Sequence, residues 1–205
     1  MTDAAFWDRI APKYAKSKIS NPGAYEETLA RVRTYLSPDQ SVLELGCGTG
    51  STALLLAEGT GDYTATDISS VMIEIANGKL PDHQGKAPTF RVGGVSPSDY
   101  AGERYDTVLA FNLLHLLPDL KGGLGLARDL LLEGGLFISK TPCIGGKWYF
   151  RPMVKVMQLF GRAPYVSFLD VDELDRMIEQ AGFRIIETGL YPPTTPSRFI
   201  VARKI

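Results

Sequence analysis

A chain of 205 residues is long enough for one sizeable core and too short for two ordinary domains. Its 44% hydrophobic and 22% charged residues exclude a mostly disordered chain, and its 21 Gly and 13 Pro, which follow no fixed period, exclude a collagen-like one. With 22 Lys and Arg against 23 Asp and Glu, the net charge of −1 excludes a protein built mainly to coat nucleic acid.

In chain order, Phe6, Ile10 and Tyr14 recur at helical spacing, and Pro12 stands where it would kink or divide that segment. Asn21 before Pro22 reads as a cap with Pro at the first helical position. The helix it opens carries Tyr25, Leu29, Val32 and Leu36 on one side and should end near Ser37-Pro38. Residues 41–45 form a short apolar strand, 46–50 a glycine-rich turn and 51–58 a helix. Residues 62–67 alternate as a strand ending on Asp67, and Ser69 or Ser70 caps the helix that follows. Residues 88–92 and 105–111 are the third and fourth strands. A helix over about 119–132 is weakened by Gly122, Gly123 and Gly125, and Gly134-Gly135 turns the chain into a fifth strand, 136–140. Residues 145–160 read as a helix, and Asp170 with Glu173 as a capping pair for a helix over 171–181. Gly182 ends that helix, and 183–188 and 198–202 are the last strands.

Strands alternating with helices predict an α/β fold: one doubly wound, Rossmann-like domain with a mainly parallel seven-stranded sheet, its last strand antiparallel, preceded by N-terminal helices. The expected parts are an N-terminal helical lid (1–40), a cofactor-binding core (41–140), a basic aromatic lid segment (141–169) and a C-terminal helix with two strands (170–205). The longest apolar run, 109–117, is broken by Asn112 and His115 and falls short of the roughly eighteen residues of a membrane span. No leader pattern opens the chain, so a cytoplasmic location is the expectation. Cys47 and Cys143 form no CxxC pair. With only His83 and His115 beside them, no metal site is expected.

The strongest signal is the run Val42-Leu43-Glu44-Leu45-Gly46-Cys47-Gly48-Thr49-Gly50, a strand entering a loop with glycines at alternate positions before a helix. A dinucleotide fingerprint would place its third small residue at Ser51; here the third glycine comes one position early. An acid, Glu44, stands two residues before Gly46. This pattern suits a ligand without pyrophosphate but with a cationic amino-acid end, whose ammonium Glu44 favours. Asp67, at the end of the second strand, can accept two ribose hydroxyls. The bland alternatives are a tight turn and a strand-end cap.

At these residues, joined by Thr66-Asp67-Ile68-Ser69, by 105–115 and by Leu132-Glu133-Gly134-Gly135, the chain resembles the class I S-adenosylmethionine-dependent methyltransferases. It is most similar to the small bacterial type that modifies quinones and phospholipids. The resemblance implies S-adenosyl-L-methionine as donor and S-adenosyl-L-homocysteine as product. It implies donor contacts from Tyr14, Glu44, Gly46, Cys47, Gly48, Gly50, Asp67, Ile68, Met72, Gly94, Val95 and Asn112. The family often places an acid after its third strand to meet the adenine amino group. This chain has Gly94 there, which leaves the backbone around Gly94 and Val95, or Ser96 or Asp99.

Methyl transfer from a sulfonium mainly requires alignment, with a base where the acceptor carries a proton. His115 is the candidate base or a packing residue. Asn112 is a candidate contact to donor or acceptor, or a helix cap. Tyr14 is a candidate catalytic aromatic facing the sulfonium, or a lid-packing ring. Cys47 reads as a small residue tolerated in the turn rather than a thiol nucleophile.

Between Glu133 and Asp170 there is no acid, while Lys140, Lys147, Arg151, Lys155 and Arg162 are interleaved with Trp148, Tyr149, Phe150, Met153, Met157 and Phe160. Residues 147, 151 and 155 would share one helix face. This segment reads either as a lid with a solvated basic face or as a peripheral contact with an anionic membrane. The acceptor expected is a small or lipid-like molecule, with no nucleic-acid partner. Two other functions stay open: a non-catalytic module binding S-adenosylmethionine, a membrane or a partner, and, against the glycine spacing, a nicotinamide oxidoreductase.

Overall fold

A computed structural model describes residues 3–193 and 197–205, with the side chain of Trp148 outside that description. Seven strands form one sheet in the order β3-β2-β1-β4-β5-β7-β6: β1 (Ser41–Leu45), β2 (Asp62–Asp67), β3 (Thr89–Val92), β4 (Tyr105–Phe111), β5 (Leu131–Pro142), β6 (Phe183–Leu190) and β7 (Ser197–Lys204). The first five run parallel, and β7 runs antiparallel between β5 and β6. The strand order reverses between β1 and β4, which is where a doubly wound sheet opens a crevice. Asp106 fixes that junction: its Oδ2 accepts from the Ser41 amide at 2.8 Å and the Ser41 hydroxyl at 2.7 Å.

The pleat sends alternate residues to two cores. Leu43, Val108, Phe137 and Ile200 face α5 (Leu120–Leu130) and α7 (Val171–Gln180). Val42, Leu109, Ile138 and Val201 face α2 (Pro22–Arg33), α3 (Ser51–Leu56) and α4 (Ser70–Asn77). Leu29 and Val32 of α2 are fully buried there. The Asn21 cap is in place, its side chain accepting from the Ala24 amide at 3.0 Å.

Several expectations are corrected. α1 (Asp3–Ala15) runs unbroken through Pro12, although Pro12 has no N–H to give the carbonyl four residues earlier. α2 ends at Arg33, before Ser37-Pro38. Gly134 and Gly135 sit inside β5, because Leu131 already pairs with Tyr105 and the ladder resumes at Thr107–Leu136 after a bulge. Asp170 occupies the N-cap of α7 without a side-chain capping bond; its carboxylate lies against Gly145, where a Cβ would meet it at 2.0 Å. The helix expected over 145–160 is a 3-10 segment, Gly145–Phe150, and then α6 (Arg151–Leu159). Lys147 has non-helical angles (φ −99°, ψ 36°) and therefore does not share the face of Arg151 and Lys155.

Candidate active site

The loop from β1 to α3 turns on three left-handed glycines, Gly46, Gly48 and Gly50, with φ of 68°, 54° and 74°. They meet different neighbours. A Cβ on Gly46 would come within 2.9 Å of the Leu113 side chain, and one on Gly50 within 2.5 Å of the Phe90 ring and 2.9 Å of the Ala76 Cβ. At Gly48 the nearest atom would be the Tyr14 ring, at 3.7 Å. Gly46 and Gly50 are thus required by packing, while Gly48 leaves space on the side where a Cβ would stand. Gly50, expected against the donor, lies behind the loop and does not line the cavity that the loop bounds.

That cavity, of about 820 Å³, lies at the carboxyl ends of β1, β2 and β4. At one end it brings together Glu44, Gly46, Cys47, Gly48 and Asp67, with Tyr14 above them. Ile68, Met72, Gly94, Val95, Asn112 and His115 also line it.

Asp67 is held from both sides. Its Oδ2 accepts from the Gly48 amide and its Oδ1 from the Ser69 amide, each at 2.9 Å. Burial pushes its carboxyl above the ordinary range, and these two amides pull it back. Each oxygen keeps a further lone pair, so the carboxylate can still accept two hydroxyls. Glu44 is almost wholly buried, and its Oε2 accepts from the Tyr63 phenol at 2.8 Å. Burial pushes its carboxyl up to about 7, the Tyr63 bond opposes that, and the neighbouring Asp67 adds to it. A buried carboxylate with a phenol for partner gains most from a cation, as an ammonium group would supply.

Ser69 caps α4, accepting from the Met72 amide at 3.1 Å while its hydroxyl donates to Asp8 Oδ1 at 2.7 Å. The Val71 amide donates to the same Asp8 oxygen at 3.3 Å. Asp8 therefore latches α1 onto the start of α4, which carries Tyr14 over Gly48. Burial first, then Asp67, pushes the Tyr14 phenol above its ordinary value, so the ring is neutral at physiological pH.

Where the resemblance would place the adenine, both backbone groups of Gly94 have partners within the protein. Its amide donates to Asp99 Oδ2 and its carbonyl accepts from the Tyr100 hydroxyl, each at 2.8 Å. Asp99 thus holds Gly94 from behind, and neither Ser96 nor Asp99 lines the cavity. Of the groups expected there, Val95 is left at the surface of the cavity with no partner for its backbone among the described residues.

Asn112 follows β4 with φ 53°, the one non-glycine residue in the left-handed region among those described. Its amide donates to the Lys140 carbonyl at 2.8 Å, and its side chain is exposed on the rim. Leu113, not Asn112, precedes the helical turn Leu114–Leu116, so the helix-cap alternative is set aside. His115 is half-buried. Its Nδ1 is shielded from solvent without a hydrogen-bond partner, and burial lowers its pKa to about 4. The imidazole is therefore neutral at pH 7. Burial first, then Glu44 and Asp67, pushes the Cys47 thiol far above its ordinary range, and burial carries Cys143 up to about 11. Neither is poised as a nucleophile.

The remaining lining is mostly apolar, with Phe111, Leu113, Leu116, Leu117, Pro142 and Pro164 beside Trp7 and Tyr165, but it includes one acid, Asp119, whose Oδ1 accepts from the Gly122 amide at 2.9 Å. No Lys or Arg lines the cavity among the described residues. Sequence reasoning placed Trp7 in a wall of the site but missed Tyr63 as the partner of Glu44, Asp8 as the latch, and Pro164 and Tyr165 as lining. Aromatics within the apolar segments flanking the core were the available signal for the last group; the other two depend on strand register and helix docking.

The profile of a family described as a methyltransferase domain matches residues 18–188. A highly reducing polyketide synthase of Glarea lozoyensis, gloL, is 35% identical over 193 residues, covering 80% of this chain and 7% of that protein. A polyketide synthase-nonribosomal peptide synthetase of Aspergillus clavatus is 30% identical over 183 residues, covering 81% of this chain and 4% of that protein. The chain thus spans a small fraction of the length of these curated relatives. Among solved structures, the CcbJ methyltransferase of Streptomyces caelestis superposes with a TM-score of 0.78 at 20% identity, over 100% of this chain and 99% of that one. Magnesium protoporphyrin IX methyltransferase of Synechocystis, solved with bound SAM, superposes with a TM-score of 0.74 at 17% identity, over 100% and 98%. At these identities the superpositions establish the shared fold.

Proposed function

The chain belongs to the methyltransferase-domain family, with the fold of its class I S-adenosylmethionine-dependent members, and from that premise we propose that it methylates a small neutral acceptor with an apolar body. The observation that carries this reading is a cavity whose lining combines two chemically unlike sets, the acids Glu44 and Asp67 with the glycine loop, and a mostly apolar set of leucines and prolines, together with Asn112 and His115. S-adenosylmethionine, when bound, supplies a methyl group already activated on a sulfonium.

The residues present fit that donor. Gly48 leaves room for close approach where a side chain would stand, Asp67 can take two ribose hydroxyls, and Glu44 lacks a cation that an ammonium would provide. Tyr14 sets an aromatic face over the loop. On the other side, the leucine and proline wall favours an apolar body, and the absence of Lys and Arg disfavours a carboxylate or phosphate. The polyketide-synthase relatives support a small-molecule acceptor. A neutral His115 can accept a hydrogen bond from the acceptor, burial making it a weak base, and Asn112 can orient the acceptor.

Titration calorimetry with S-adenosylmethionine and S-adenosylhomocysteine tests the donor end. Incubation with labelled donor and a panel of apolar ketones, phenols and amines tests the acceptor end. Micromolar binding and label transfer to a neutral apolar acceptor are expected. Donor binding without transfer to any acceptor would favour a non-catalytic module, and failure of both donor and product to bind would overturn the reading.

A further inference from the structure

α6 has no buried residue. Val154 and Gln158, one turn apart, are half-buried and face the body of the protein, and Gln158 Nε2 donates to the Pro164 carbonyl at 2.8 Å. Met153, Val156, Met157 and Phe160 recur at spacings of three and four on the opposite side, exposed by 52%, 55%, 37% and 71%. Leu159 extends the patch at 82%, and Tyr149 and Phe150 precede it with their rings 4.7 Å apart. An apolar stripe directed away from the body is the reverse of a helix packed on its own domain.

The charges of the segment that carries the stripe are of one sign. No acid occurs between Glu133 and Asp170. Lys140 is turned elsewhere, donating to Thr28 Oγ1 at 2.7 Å, and Arg151 sits 5.3 Å over the Phe168 ring. Lys147, Lys155 and Arg162 take part in none of the ion pairs among the described residues. The patch also shares an edge with the mouth of the cavity: Arg9 of α1 donates to the Gly161 carbonyl, and Pro164 and Tyr165, just beyond, line the cavity.

We propose that α6 seats the protein on an anionic phospholipid bilayer. Met153, Val156, Met157 and Phe160 enter the acyl boundary, and Lys147, Lys155 and Arg162 lie among the headgroups. An apolar stripe with cations on the other side of the helix is the arrangement of an in-plane interfacial helix. A second copy of the chain fits less well, because an isologous contact would bring one acid-free segment against another with nothing to pair their charges. Seated in this way, the cavity mouth opens at the lipid surface, where an apolar acceptor would be concentrated. The docking itself does not depend on the methyl-transfer reading.

Co-sedimentation with phosphatidylcholine vesicles, with and without phosphatidylglycerol, at low and high salt, tests this. The bound fraction should be at least ~5-fold higher with the anionic vesicles at low salt and should fall as salt rises. The double variant Val156→Glu with Phe160→Glu should abolish binding, and Lys155→Glu should lower it several-fold. Both should keep the wild-type thermal transition and S-adenosylhomocysteine affinity. Equal binding to neutral vesicles, binding to neither, binding that survives the double substitution, or a concentration-dependent dimer that the double substitution dissolves would each overturn the proposal.

Discussion

The loop after β1 and the helix after β5 flank the same cavity and are built by opposite means. In the loop, nearly every group has a fixed neighbour. Gly46 and Gly50 are held by Leu113, Phe90 and Ala76, the Lys79 ammonium donates to the Thr49 carbonyl at 2.6 Å, and Asp67 ties Gly48 to the start of α4. α6 touches the body through Val154 and Gln158 and leaves its larger side chains outside. The contrast separates specificity by backbone geometry, which tolerates almost no change, from specificity by surface composition, which tolerates much. Substitutions in the two regions should therefore differ in kind as well as size.

The largest effect should come from Gly50→Val. The new side chain would be forced into the Phe90 ring at a φ of 74°, so left-handed strain adds to overpacking, together about 3 kcal/mol. Urea denaturation should show this loss; a midpoint near wild type would mean the loop is more plastic than its contacts imply. Asp67→Ala comes next. It removes an acceptor from the Gly48 and Ser69 amides and from the expected ribose hydroxyls, so donor affinity should fall at least ~100-fold by calorimetry. A loss below tenfold would move the ribose elsewhere.

Two buried titratable groups sharpen the comparison through pH, with opposite signs. The pKa of His115 falls from an ordinary 6.5 to about 4 in the fold, so its contribution to stability is intact above 6.5 and is lost as pH falls toward 4. The loss is at most about 3 kcal/mol, and His115→Leu should flatten that part of the stability–pH curve. Turnover should show no His115 inflection near 6.5; one there would mean the imidazole is solvated in the working enzyme. Glu44 rises from 4.5 to about 7, so its contribution is present below 4.5 and is lost as pH climbs through 7. An ammonium at Glu44 reverses the preference, and below pH 7 donor binding must release a proton. Affinity should therefore weaken by up to about tenfold per pH unit on the acid side, and Glu44→Gln should abolish that slope.

The fold and the donor end were legible because their determinants are local. β1, β2 and β4 have the bounds read from apolar runs, and Asn21 and Ser69 cap the helices they were expected to cap. The alternate glycines announced a left-handed loop, although not that Gly50 answers to Phe90 rather than to a ligand. What stayed hidden depends on elements meeting in space. The Tyr63–Glu44 bond follows from parallel register, the Asp8 latch from how α1 lies on α4, and the Asp99–Gly94 bond from a loop folding back on itself. Asp170 shows the limit of local rules, since its capping pattern is present but the close approach of Gly145 takes the side chain away. In α6, periodicity revealed an apolar stripe and a basic one but gave no sign of which faces the body.

The smallest effect is also the most diagnostic for that last point. Met153→Gln replaces a half-exposed apolar side chain by a polar one of similar length on a helix with no buried residue. If the stripe faces water in the free protein, stability in urea should change by no more than about 0.5 kcal/mol, because no packing is lost and no polar group is buried. Val154→Gln, one residue away but on the side that touches the body, should cost more, on the order of 1 kcal/mol, because it removes an apolar contact. The difference between two neighbouring positions on one helix measures its orientation directly. Equal costs would mean that α6 rolls or that something covers its stripe, and the contrast between a loop held from every side and a helix held from one would then fail.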